Sequence, residues 1–333
     1  LGLVLVAAVL APWMVDSLFS GHDVLLVALL LVLVGLGTGH LVRGVLAGLG
    51  RFGGYARYFI GDGLGRLVLV GLLTLFVADE VAVYGLAVGG APFLGVAVAL
   101  AGRRRVGGRP SGPAPEDPPV VGRRAELGAL APALGALLVA SVSTAVVVNV
   151  SPLAVELLAS PAEVDAAGRF LNALLVARVP LFLFQAVQAS LLPKLSALAS
   201  DQQFDEFRRV LGRLLALVGV LGLAAVVGCA LVGHRVVEVA FGAEFAVDRR
   251  DMVLLAASSA VLMVVLCLAQ ALIAHRCQGR VALAWLVSLS AFPLVLALGD
   301  DLFLRVELAL LATVATAMVA MAVLLVRRSR LLH

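Results

Sequence analysis

LRVELALLATVATAMVAMAVLLV, Leu304–Val326, decides the fold. Past Arg305 and Glu307 it is uninterrupted by charge, and its 23 residues match the roughly 20 apolar residues that one helix needs to cross a bilayer. The rest of the chain is of the same kind. Of its 333 residues 62% are hydrophobic and only 14% charged, and the mean hydropathy is +1.11. Soluble domains hold about 45–50% apolar residues. Aromatic residues make up only 6%, and Ala, Val, Leu and Gly supply most of the apolar mass. Long continuous helices are therefore expected, not the alternating strands of an outer-membrane barrel.

Working outward, the same criterion gives about ten transmembrane segments: 1–15, 24–41, 64–77, 81–101, 127–150, 171–192, 214–233, 252–274, 281–298 and 304–326. Basic residues provide a second reading of this order. Nineteen of the 25, all arginine except Lys194, fall in alternate connections, around Arg43–Arg66, Arg103–Arg124, Lys194–Arg213, Arg276–Arg280 and Arg327–Arg330. The opposite connections hold only Arg169, Arg235, Arg249, Arg250 and Arg305. By the positive-inside rule the arginine-rich connections and both ends of the chain are expected in the cytoplasm, in a multi-pass arrangement in the cytoplasmic (inner) membrane.

The stretch 102–126, GRRRVGGRPSGPAPEDPPVVGRRAE, is basic, rich in Pro and Gly and free of apolar periodicity. It reads as a cytoplasmic linker between an N-terminal lobe, 1–101, with four spans and a C-terminal lobe, 127–333, with six. Equal repeats are common in transporters, so two further helices before Leu1 are expected. After Ser200 and Asp201, Phe204, Phe207, Leu211 and Leu214 recur at helical steps. They predict an interfacial helix that runs into the seventh span. Cys229, Cys267 and Cys277 have no paired or ligand-like spacing and read as packing residues.

Four segments carry a family resemblance: RGVLAGLGRFGGYARYFIGDGLGRL (Arg43–Leu67), GRFLNALLVARVPLFLFQAVQASLLPKLSALAS (Gly168–Ser200), FGAEF (Phe241–Phe245) and LAQALIAHRCQGR (Leu268–Arg280). They resemble the polysaccharide-transporter branch of the MOP flippase superfamily, which also contains the multidrug and toxin extrusion transporters and the lipid II flippases. The resemblance implies an all-α integral membrane protein, a polytopic bundle in two lobes around a central cavity. It also implies alternating access and the movement of lipid-linked oligosaccharide or polysaccharide precursors. Its expected partners are the lipid-linked anionic glycan, membrane lipids and envelope-polysaccharide assembly enzymes. No cofactor, metal ion or nucleic acid is expected.

Arg178 is the residue that needs a reason. A guanidinium near the bilayer centre costs roughly 2.5–3.5 kcal/mol on insertion scales, and such groups are functional candidates by default. Its planar fork of donors suits phosphate oxygens. Gln185, seven residues on, lies about 20° away around a helix, and Gln188 flanks the same stripe. One face could thus offer a cation and two amides to a pyrophosphate-linked sugar. The alternative is a structural bond to a carboxylate or carbonyl of a neighbouring helix. Ser141 and Thr144 share a face of the fifth span, and Asn149 and Asn172 lie near outer helix ends. These four complete the candidate cavity set, although packing and capping explain them as well. Pro180 and Pro293 are expected kinks.

Three other functions compete with this one. A lipid II flippase has the same anion logic. A multidrug exporter would want carboxylates inside the membrane, and the acids here, Glu307 among them, read as lying at or near helix ends. A membrane glycosyltransferase or polymerase would need paired carboxylates, a metal cluster or a large outer loop, and these are missing from the pattern.

Overall fold

The computed structural model describes residues 2–19, 21–48, 51–76, 81–101, 120–160 and 165–330, and side chains within these except at 2–3, 5, 47–48, 52, 76, 81–82, 120–130, 185–194 and 329–330. Every regular element among the described residues is helical. The chain divides into two compact units, Leu1–Glu116 and Asp117–His333. Of the expected linker, residues 102–119 lie outside the described residues. Its last part is already helix, because α6 starts at Val120.

Eight helices are long and apolar enough to cross a membrane among the described residues. Two of the ten expected segments take another form, and a proline stands at each break. The first segment is two short helices, α1 (Gly2–Val9) and α2 (Ala11–Leu18), with Pro12 in the opening turn of α2. The sixth is divided into α7 (Ala166–Ala177) and α8 (Val179–Ser200), with Pro180 in the opening turn of α8. At both breaks the proline sits in the opening turn of the second helix, where its missing N–H is not needed, whereas Pro92, Pro132, Pro152 and Pro293 lie inside helices that continue.

The first unit is built on α3 (Asp23–Gly48), α4 (Phe52–Phe76) and α5 (Val81–Ala101). Helix α5 packs on both others through small residues, which let backbones approach closely in an apolar solvent. The Tyr58 ring is buried against Gly39 of α3 and Gly95 of α5, where a Cβ would strike it. The third span starts earlier than expected, so Arg57, Asp62 and Arg66 lie within α4 and not in a loop. Two of these charges pair with each other, and Arg43 of α3 meets aromatic rings of α4. Arg66 pairs with Asp62 one turn back at 3.2 Å, and Arg43 lies over the rings of Tyr58 and Phe59 at 5.2 and 5.0 Å.

The second unit is organised around α11 (Arg249–Ala274), whose spanning window is 61% buried. It packs against α7, α8, α9 (Phe204–Gly228) and α13 (Leu302–Arg330), while α12 (Gln278–Leu296) and α6 (Val120–Leu158) close the bundle against α13. Helix α9 shows the sorting. Phe207, Leu211, Leu214, Val218 and Gly222 face the core at helical steps. On its other side Leu217, Val220, Leu223 and Val227 are exposed, an apolar surface suited to lipid and far too continuous for water. Ser200 and Asp201, residue types suited to an N-cap, do not cap α9. Ser200 ends α8, and α9 begins after Gln203 and runs on as one helix into a π-helical turn, Cys229–Gly233, and α10 (His234–Phe241). Pro293 sits inside α12, one turn from its end.

Candidate functional site

Arg178 occupies the junction between α7 and α8. Its own N–H still bonds back to Leu174 and Leu175, and its carbonyl accepts from the N–H of Phe182, so the chain turns with little loss of main-chain bonding. The side chain is only 8% exposed. Its Nη2 donates to the main-chain carbonyl of Val148 on α6 at 2.5 Å. Among the described residues no carboxylate pairs with it. The structural alternative raised by the sequence, a carbonyl from a neighbouring helix, is therefore what this guanidinium meets. A charged donor on a carbonyl keeps its positive charge, and the site remains electropositive.

The other sequence candidates are placed unequally. Gln185 and Gln188 follow on α8, but their side chains lie outside the described residues. On α6, Thr144 is half-buried and donates to its own Ala140 carbonyl at 2.8 Å, and Asn149 is exposed and donates to the Ala145 carbonyl at 2.8 Å. Ser141 is exposed. Asn172 is half-buried, six positions before Arg178. Only Arg178 and α6 are thus brought together by a described bond. The hydroxyls that α6 turns into the core are Ser143 and Ser151, and the buried Ser151 Oγ has no partner among the described residues. Both follow the buried stripe Ala140, Ser143, Val147, Ser151 and Ala154, whose steps of three and four were legible in the sequence.

A second set of polar groups lies at the end of the second unit where α11 and α13 begin. Arg250 donates from Nε to Asp251 Oδ1 at 3.0 Å and from Nη2 to Asp301 Oδ2 at 3.3 Å. Around them is a cavity of about 410 Å³ whose wall includes Arg169, Asp248, Asp300 and Phe303. Asp301 also caps α13, accepting from the Leu304 N–H at 2.9 Å, and that bond foremost holds its carboxyl below the usual carboxylate range. Deeper along α13 is Glu307. It is fully buried, and neither of its oxygens accepts a hydrogen bond from the described residues. The sequence reading set it aside as a helix-end acid. Its place in the stripe Phe303, Glu307, Leu310, Val314, Ala317, buried from Glu307 onward, was the signal to follow.

The opposite end of the same helices is basic. A cavity of about 530 Å³ is lined by Ser196, Ser200, Phe204, His275, Arg276 and Arg328, among others. His275 lies 4.5 Å from the Phe207 ring and 6.3 Å from that of Phe204, centroid to centroid. Burial, and then the charge of Arg328, lower the pKa of this imidazole. Among the described residues no three His, Cys, Asp or Glu side chains converge as a metal site.

Fold and polar sites together define a helical protein with long apolar helices suited to a multi-pass membrane protein. No protein-family model, curated protein or solved structure matches the chain.

Proposed function

We propose that the protein is a flippase that moves a lipid-linked anionic oligosaccharide or polysaccharide precursor across the cytoplasmic membrane by alternating access between two lobes. The observation that carries this reading is Arg178, a buried guanidinium at a helix break with a carbonyl and no described carboxylate for company. Such a group retains net positive charge inside an apolar bundle, and a passing pyrophosphate is the complement to that charge. The lipid tail of such a substrate stays in the bilayer, so only the head needs polar contacts. A break in a spanning helix is also where membrane transporters expose polar backbone to a substrate. The arginine-rich ends, including Arg276 and Arg328, are taken as cytoplasmic.

Complementation of a flippase-deficient strain tests the reading. Arg178→Gln should lose most of the activity at normal abundance, and Arg178→Lys should retain part of it, keeping the charge without the bidentate fork. Full activity of a stably expressed Arg178→Gln protein would end the anion-site idea. A second reading has one observation in its favour. The buried Glu307 supplies the intramembrane acid that export of cationic compounds would require, so resistance to a panel of cationic drugs on expression would select a multidrug exporter instead.

A further inference from the structure

Glu307 is a carboxyl with no described neighbour to bond it. It has zero exposure, and neither Oε1 nor Oε2 accepts a hydrogen bond. Buried charges are ordinarily paired, because an isolated carboxylate in apolar surroundings is very costly. The cation nearest to hand is already taken: Arg250 is divided between Asp251 and Asp301. The charged groups within electrostatic range of Glu307 are Asp251 and Arg250 from α11 and Asp301 from the start of α13. Helices α6 and α12, which also pack on α13, bring none among the described residues. Arg305 lies two positions away on α13, around the helix from Glu307.

The position lies one helical turn from a residue that lines a cavity. Phe303 lies one turn before Glu307 on the same face of α13 and lines the acidic cavity, as does Asp251, itself only 4% exposed. Asp248, Asp300 and Asp301 form its rim. Arg169 and Arg250 share this lining with the four aspartates, and one turn along α13 from Phe303 lies a buried acid with neither a donor nor a counter-ion among the described residues. A metal ion would demand a shell of oxygen ligands, and among the described residues no such cluster converges.

We propose that Glu307 is a proton-binding site, charged and discharged through the acidic cavity at the starts of α11 and α13. A proton from water in the cavity adds to one carboxylate oxygen, giving the neutral acid, and the reverse step returns it. The site is carried by the geometry of the second unit alone and does not require the lipid-linked glycan reading.

Infrared spectroscopy of the full chain in lipid vesicles tests it directly. The protonated acid gives a carbonyl stretching band separate from the amide bands. We expect a band that Glu307→Gln removes, that Glu307→Asp shifts, and that disappears reversibly between mildly acidic and alkaline buffer. Because Glu307→Asp keeps the acid, a shifted band identifies the residue even where Glu307→Gln assembles poorly. A Glu307 band absent at every pH would mean a permanently ionised group and would overturn the proposal. A band that persists unchanged into alkaline buffer would overturn it too, marking an inert neutral side chain. Loss of the band on adding sodium at constant pH would reassign the site to a cation.

Discussion

Arg178 holds the carbonyl of Val148 from across a helix interface, and this bond ties the α7–α8 junction to α6. A hydrogen bond to a charged group contributes about 1.5–3 kcal/mol, several times a surface ion pair. Arg178→Ala removes the donor and leaves the carbonyl buried, so thermal unfolding in detergent should report a loss of that order. Arg178→Gln retains an amide donor and should lose less. Equal stability of all three proteins would show that the bond contributes nothing.

Two helix ends at the basic face close with a left-handed residue that is not glycine. In α8 the residue is Gln202, with φ +57°, and the N–H of Gln203 bonds back to the Leu198 carbonyl; in α11 it is Arg276, with φ +59°, and the N–H of Cys277 bonds back to Leu272. An L side chain in this region costs roughly 1–2 kcal/mol relative to glycine. Gln202→Gly should therefore raise the thermal midpoint, by up to about 1 kcal/mol of stability once the looser unfolded chain is counted. Arg276→Gly should gain less, because Arg276 also lines the basic cavity and complements the C-terminal end of α11. A fall in stability for Gln202→Gly would refute the strain argument.

The long apolar helices were legible because one signal, sustained hydrophobicity, determines them. What the sequence obscured were the places where a local rule competes with that signal. Pro12 lies inside an apolar run that read as a single span, yet it stands where the helix restarts, and at Pro180, expected as a kink, the helix also restarts. Arg57 and Arg66 looked like loop residues, but a pairing one turn away for Arg66 keeps α4 helical through them. Arg178 stood out as a lone charge in an apolar run. Its partner was marked only indirectly: Pro152, inside α6 and four residues after Val148, has no N–H to give that carbonyl, which leaves it free to accept from Arg178. Glu307 was legible as an acid near the start of the last span, where α13 does hold it, but its burial was not, since burial depends on which helices surround the stripe.

Close packing in the first unit is tested at Gly39. A Cβ there would collide with the Tyr58 ring, whereas one at Gly37 meets nothing within 4 Å. Overpacking of this kind costs about 1–3 kcal/mol, so Gly39→Ala should lower the thermal midpoint while Gly37→Ala leaves it level or raises it. Combining Gly39→Ala with Tyr58→Leu should relieve the collision and show non-additive costs. Additive costs would mean that the two residues do not meet.

His275 gives the second unit a pH dependence of definite sign. Its pKa is lowered in the folded protein, first by burial among Phe204, Phe207 and their neighbours and then by the charge of Arg328. The unfolded chain, with an ordinary histidine pKa of about 6.5, takes up a proton more readily than the folded one. Stability is then fully present above that value and falls as pH drops below it, until the folded pKa is passed. His275→Phe, which preserves an aromatic ring against Phe207, should flatten this acid limb of the thermal midpoint without lowering the midpoint at alkaline pH. Arg328→Gln removes the second of the two causes and should flatten the limb partly. The comparison needs the three proteins unfolded in the same detergent across mildly acidic to mildly alkaline buffer. An acid limb of unchanged slope in His275→Phe would assign the pH dependence to another group.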